Sequence, residues 1–297
     1  MTPQIEPEIR LMSECPLTDA VNVWNEGFKG YFADMSQTVD GYLARIHNEG
    51  ISPEFSLLAF HQDKAIGFLL SGIRENQGKM EAWNGGTGVV PEYRATGIGR
   101  VLVKAALQMY REKQVDTATL EAITQNDRAI KLYRHFGYET VDRLVLLQHE
   151  GELTFPESSG HYLIRKVTPH QVGKLDFYQH STPWQTQWQN LTRNNGEALI
   201  VVDENDVPVA YALYRKLLDE AGVVLGIALF QCQVRPSCGD AEAIALCALR
   251  EVYEPPALKC RRSTSNLSRR NELVCGLLKN AGFTTFVEQF HMVKKVE

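Results

Sequence analysis

The sequence has no apolar run near the roughly 18 to 20 residues that a bilayer-spanning helix needs, so a helical membrane protein is excluded. Its start, MTPQIEPEIR, lacks an apolar core behind a basic head and does not read as an export signal. Basic charge is in deficit. Lys plus Arg is 31 against 36 Asp plus Glu, a net charge of -5, which argues against coating nucleic-acid phosphates. Metal-type cysteine spacing is also missing. The cysteines at 15, 232, 238, 247, 260 and 275 form no CxxC pair, and no histidine pair adds zinc-like spacing. Most read as small apolar fillers, and no metal is expected. What remains is an ordinary globular chain of 297 residues, 44% apolar and 23% charged, about two domains long. The expectation is a soluble, cytoplasmic protein with no membrane or nucleic-acid partner, its composition compatible with a homo-oligomer.

Periodicity supplies the elements. Leu17, Ala20, Val21, Trp24, Phe28 and Tyr31 recur at helical steps, and Val39, Tyr42, Leu43 and Ile46 follow as a shorter helix. Phe55 to His61, Ala65 to Ile73 and a stretch through Thr87 to Val90 read as strands. A helix then carries Ile98, Val101, Leu102, Ala105, Ala106 and Met109 on one face. Ala118 to Ile123 reads as a strand, Asp127 to His135 as a helix and Thr140 to Leu147 as a strand. This alternation predicts a layered α/β domain with a mixed sheet over residues 1–150.

HEGELTFPESSG, polar and rich in Gly, Pro and Ser, is the best linker candidate and sets a boundary at 151–160. Beyond it the order restarts, with strands at Val207 to Arg215 and Val223 to Val234 and a helix at Glu242 to Tyr253. Pro91 to Gly137 spans 46 residues, as does Pro236 to Gly282. Asn126 to Gly137 spans 11, as does Asn271 to Gly282. Tyr138 matches Phe283 at the same offset of 145. Residues 161–297 therefore read as a second copy of the first fold.

The stretch VVPEYRATGIGRVLVKAAL carries chemistry. Pro91 breaks a strand, and Arg94-Ala-Thr-Gly97-Ile-Gly99 opens a helix. Two glycines let the backbone come close to a partner, and free N–H groups with the helix dipole favour an anion there. A Walker loop is excluded because Arg100 and Val101 follow Gly99 where Lys and Ser or Thr are needed. A dinucleotide fingerprint is disfavoured because Leu102 stands where its third glycine belongs.

VVPEYRATGIG resembles the acyl-CoA motif of the GNAT superfamily of acetyl-CoA-dependent N-acetyltransferases, V-x-P-x-x-R/Q-x-x-G-x-G/A. NDRAIKLYRHFGY resembles the second signature of that superfamily through Asn126, Ala129, Leu132, Tyr133, Gly137 and Tyr138. The resemblance implies two tandem GNAT-like domains, each a splayed mixed sheet, with acetyl-CoA between two parallel strands of the first. It implies that the backbone of Arg94, Ala95, Thr96, Gly97, Ile98, Gly99 and Arg100 binds the pyrophosphate. Main chain near Val89 and Val90 would hold the thioester carbonyl. Asn126 and Ala129 would border the pantetheine arm, and Tyr133 would be the general acid for the departing thiolate.

Two residues compete for the role of base that an ammonium acceptor needs. Glu121, in the LEA-then-Asn arrangement, resembles the base of the ribosomal-protein N-terminal acetyltransferase branch. Glu81, ahead of WNGGTG, is the other, acting through water. Trp24, Phe28, Tyr31 and Phe32 fall where the family lines its acceptor pocket, although an aromatic stripe at helical spacing also describes a core. Glu26 and Asp34 on the same segment have the charge to receive a cationic amine.

At the offset of 145 the second copy has Gly239 for Arg94, Glu242 for Gly97, Ile244 for Gly99 and Leu278 for Tyr133, with Asp240 adding charge. Such a loop should repel CoA. CRRSTSNLSRR, with Arg261, Arg262, Arg269 and Arg270, is a dense basic cluster that fits a solvated face or an acidic partner. Trp184 and Trp188 read as domain packing on one helix.

The leading expectation is an N-acetyltransferase moving an acetyl group to a primary amine, small-molecule or peptide, in a ternary complex. No cysteine lies in either first-half motif to form an acyl intermediate. The alternative is a non-catalytic acyl-CoA-binding or regulatory module, and acceptor-dependent release of CoA thiol separates the two. A dinucleotide-dependent oxidoreductase is a third reading.

Overall fold

The computed structural model describes residues 6–156, 160–236, 238–255 and 258–297. The chain forms two compact units, residues 1–141 with 291–297 and residues 142–290.

The first unit contains β1 (Glu8–Leu11), α1 (Leu17–Gly27), α2 (Val39–Glu49), β2 (Leu57–His61), β3 (Lys64–Asn76), β4 (Lys79–Val89), α3 (Ile98–Glu112), β5 (Thr117–Ile123) and α4 (Asp127–His135). β1 to β4 are antiparallel neighbours in chain order, and β4 pairs with β5 in parallel. That parallel step requires a crossover, which α3 makes. α3 turns Ile98, Leu102, Val103, Ala106, Leu107 and Tyr110 into the core, while Val101, expected inside, lies outside the buried stripe. Each fully buried side chain of this size contributes about 1.5–3 kcal/mol.

β6 (Glu139–His149) begins in the first unit and runs mostly in the second. The second unit continues with β7 (Leu163–Val167), α5 (Pro169–Val172), α6 (Trp188–Arg193), β8 (Glu197–Val202), β9 (Pro208–Leu218), β10 (Val224–Val234), α7 (Ala241–Tyr253), β11 (Arg261–Thr264), β12 (Leu267–Ser268) and α8 (Glu272–Asn280). β13 (Thr284–Lys295) starts there and ends in the first unit beside β5. β7 to β10 are antiparallel neighbours, β10 pairs with β11 in parallel, and β11 and β12 pair with β6.

The repeat holds on both sides of the loop, while α7 begins 143 residues after α3. β10 lies 145 residues after β4 with the same bounds, and so does α8 after α4. The division between the units differs from the expected boundary at 151–160. It falls inside β6, because Leu153 and Phe155 of the linker candidate pack on the core of the second unit and each unit takes its closing strand from the other half of the chain. Residues 157–159 of that segment lie outside the described residues.

Two local expectations change as well. α1 stops at Gly27, so Phe28, Tyr31 and Phe32 sit on a loop. Trp184 belongs to a short 3-10 turn and Trp188 opens α6, so the two do not share a helix.

Candidate active site

β4 and β5 stay in register only from Glu81 opposite Thr117 to Asn84 opposite Leu120. A register shift against β3 then leaves Gly85 as a bulge, which bends β4 away from β5. Arg45 holds the bulge by donating from Nη2 to the Gly85 carbonyl at 3.1 Å. The resulting cleft has a volume of about 880 Å³.

One end of the cleft is the glycine-containing loop that leads into α3. Ala95 has φ 68° and Gly97 φ 100°, so two left-handed residues lead into α3, whose N-terminus has no side-chain cap. A Cβ on Gly97 would meet nothing within 4 Å, which means the space in front of the loop is open. Arg100, Arg128 and Lys131 border the same space with Asp127, an excess of positive charge. These residues fit a pyrophosphate: donors, positive charge and room coincide.

The Arg94 side chain has a different task. It donates from Nε to Val89 O at 3.0 Å and from Nη2 to Gly27 O at 3.1 Å and Lys29 O at 2.7 Å, tying the end of α1 to the end of β4. Thr96 caps the turn by donating to Tyr93 O at 2.6 Å and does not line the cleft. Val90 is buried and its N–H goes to Ile66 O, so strand alternation turns the Val89 N–H toward the β5 side, where Val89 borders the cleft.

The other end holds Tyr133. Its ring is buried and lines the cleft, and its hydroxyl accepts from Asn84 Nδ2 at 3.4 Å. Burial raises its pKa above the ordinary phenol value, and hydrogen bonds from Thr87 and Asn84 pull it back. Asn126 caps α4 by accepting from the Ala129 N–H at 3.1 Å, and both residues line the cleft. Phe28, Tyr31 and Phe32 form the opposite wall in a run of edge-to-face contacts.

Three expected site residues lie off this wall. Trp24 is fully buried, packs on Phe28, Tyr42 and Phe68, and donates to Met35 O at 2.6 Å. It forms the core behind the pocket. Glu81 sits near the start of β4 and accepts from Asn76 at 3.2 Å. Glu121 follows Leu120, the partner of Asn84, so it stands on the opposite face of the sheet from Asn84. There Oε2 accepts from Trp83 Nε1 at 2.8 Å, and Oε1 is buried without a hydrogen-bond partner. Burial, with the Glu49 charge adding to it and the Trp83 bond opposing it, pushes the Glu121 pKa up to about 7. Such a carboxyl exchanges a proton near neutrality.

Sequence reasoning missed Asn84, Thr87, Arg128 and Lys131. The last two are solvent-type charges in the second signature, and their spacing of three on α4 was the available signal.

The second unit differs at every equivalent place. Its loop runs from Arg235 to Asp240 where the first runs from Val90 to Gly97, two residues fewer, so the offset falls to 143 at α7 and Asp240 and Glu242, rather than the expected Glu242 and Ile244, stand in place of Gly97 and Gly99. Gln231 stands at the position of Gly86, its buried carboxamide bonded to Tyr178, Thr182, Thr186 and Tyr211. Leu278, in place of Tyr133, is core. The basic cluster is engaged: Arg262 is buried on the carbonyls of Tyr253, Gly151 and Pro255, Arg269 pairs with Glu288, and Arg270 lies 3.8 Å from Asp142.

A parallel strand pair that opens around a glycine-built anion cradle defines the class, an α/β fold of the N-acetyltransferase type. Residues 18–138 match the model of the acetyltransferase (GNAT) family, and the chain has the fold of two GNAT-like domains in tandem. The chain is 29% identical over 92 residues to N-alpha-acetyltransferase MAK3 of Arabidopsis thaliana, covering 31% of this chain and 48% of that protein. With N-alpha-acetyltransferase 30 of Schizosaccharomyces pombe it shares 27% over 114 residues, 37% of this chain and 74% of that one. The chain thus spans about half the length of the Arabidopsis relative. Among solved structures, a tandem GNAT protein from the clavulanic acid biosynthesis pathway superposes with TM-score 0.64 at 12% identity, covering 98% of this chain and 99% of that one. A GCN5-related N-acetyltransferase from Anabaena variabilis gives 0.65 at 17%, covering 98% and 73%. At such identities the likeness is one of fold.

Proposed function

We propose that the first unit binds acetyl-CoA and transfers its acetyl group directly to a primary amine, the second unit taking no CoA. The observation that carries this reading is the union, in one cleft, of an uncapped left-handed cradle at one end and the buried Tyr133 hydroxyl at the other. When bound, acetyl-CoA supplies an acetyl group activated as a thioester. The backbone of Arg94 to Arg100 holds the pyrophosphate, with Arg100, Arg128 and Lys131 adding charge, and the Val89 N–H faces the thioester carbonyl. Tyr133 Oη gives its proton to the leaving sulfur. Glu121, titrating near neutrality from the other face of β5, receives the proton of the ammonium acceptor through water; Glu81 is the less suitable base because it is engaged with Asn76 at the far end of β4.

Holding amine and thioester together supplies much of the acceleration by proximity. Direct transfer is supported by the cleft lining, which does not include Cys15. The curated relatives are named N-alpha-acetyltransferases, so α-amino groups of peptides are the first acceptors to try. The test is a screen of small amines and peptides for acceptor-dependent release of CoA thiol. Release with an acetylated product supports the reading; CoA binding without release for any acceptor would mark a binding module instead.

A further inference from the structure

Beside Tyr133, β4 carries a polar pair, Asn84 and Thr87. Asn84 is buried, and its Oδ1 accepts from the Gly86 backbone N–H at 3.1 Å. A backbone N–H can only donate, so this bond fixes the carboxamide with its NH2 toward Tyr133. Nδ2 donates to Tyr133 Oη at 3.4 Å and to Thr87 Oγ1 at 3.0 Å, and Thr87 Oγ1 stands 3.1 Å from Asn84 Oδ1.

We infer that Asn84, braced by Thr87, is a positioning residue that occupies a lone pair of the Tyr133 oxygen, so that the phenolic proton is turned into the cleft and the phenolate left after proton transfer is held by a fixed donor. The inference deepens the proposed function and rests on Tyr133 acting as the acid. A hydrogen bond to an ionised oxygen is about twice as strong as one to the neutral group, so the pair acts chiefly as charge develops. The second unit supports the assignment. At the offset of 145 it has Leu229 for Asn84, Cys232 for Thr87 and Leu278 for Tyr133, all buried, so the polar trio is absent together where the cradle is also altered. Leu229 also shows that this strand position accepts leucine in the same fold.

The test uses the full chain with Asn84→Leu and, separately, Thr87→Val. The first readout is independent of turnover. A ring-fluorinated tyrosine, whose phenol is more acidic than that of tyrosine and so ionises apart from the others, is placed at position 133, and its ionisation is followed by absorbance. Asn84→Leu should raise its pKa by about one pH unit. The second readout is thiol release. Asn84→Leu should lower kcat about ten- to hundredfold with KM for acetyl-CoA nearly unchanged, and Thr87→Val should have an effect in the same direction. An unchanged phenol titration in folded Asn84→Leu overturns the inference, as does an unchanged kcat with chemistry rate-limiting. If the wild type transfers no acetyl group to any amine, the proposed function fails while the titration still decides the role of Asn84.

Discussion

Replacing Gly97 by Glu separates binding from folding. At φ 100° an L-residue is strained by about 1–3 kcal/mol, yet a Cβ there has nothing within 4 Å, so no clash adds to that cost. The strain is present with and without ligand and cancels from the affinity. A domain with a typical 5–15 kcal/mol of stability should survive it. The carboxylate would project into the open end of the cleft, where the pyrophosphate is assigned. Two unit charges about 5 Å apart at an effective dielectric of about 20 repel by about 3 kcal/mol, a loss of about 10²-fold or more in affinity. Gly97→Ala carries the strain without the charge and should lose less than about tenfold. Calorimetric titration with CoA reads affinity and stoichiometry, and thermal melting reads the fold. Wild type should bind one CoA per chain. Unchanged affinity in folded Gly97→Glu, or two sites per wild-type chain, would refute the assignment of the cradle.

Glu242→Ala, on the exposed first turn of α7, should leave CoA affinity and stoichiometry unchanged in the same titration. Glu121 has a folded pKa near 7, above its unfolded value, so folding takes up a proton and stability falls as pH rises from about 4.5 to 7. Glu121→Gln should remove that slope, melting higher than wild type at pH 8 and about equally at pH 4; parallel melting curves across pH would count against the buried carboxyl. In activity, wild type should gain a limb near pH 7 that Glu121→Gln lacks, the deficit shrinking at high pH where free amine is abundant. Arg262→Ala should destabilise the second unit by about 3 kcal/mol or more, because three carbonyls lose a charged donor; a shift in denaturant midpoint corresponding to under about 1 kcal/mol would contradict its structural role.

The first-half fold was legible because its signals are local. The break at Pro91, the glycines of the loop and the Asn126 cap each act within a few residues, and α4 matches its expected span of Asp127 to His135. The repeat was legible for the same reason, since the offset of 145 holds at β4 and α4, but the two-residue shortening before α7 was not, because landmarks on either side of it keep their spacing. Strand exchange was not legible. Which strand lies beside β5 depends on contacts between distant residues, and nothing in Thr284–Lys295 itself names its neighbour. β4 was read only from Thr87 because the run Gly85, Gly86, Gly88 has little strand propensity, and pairing with β3 imposes the conformation. Asn84 escaped for that reason, lying in a segment not read as a strand. Arg94 was identified by position, but its three carbonyl bonds are set by the end of α1, which the motif does not contain.

The most direct test of the central claim is the rate of amine-dependent CoA thiol release by wild type and Tyr133→Phe with both substrates saturating. The variant keeps the ring that lines the cleft and loses only the hydroxyl. The account predicts a kcat lower by about 10²–10⁴-fold with acetyl-CoA binding nearly unchanged. An unchanged kcat, in conditions where chemistry limits the rate, would contradict it.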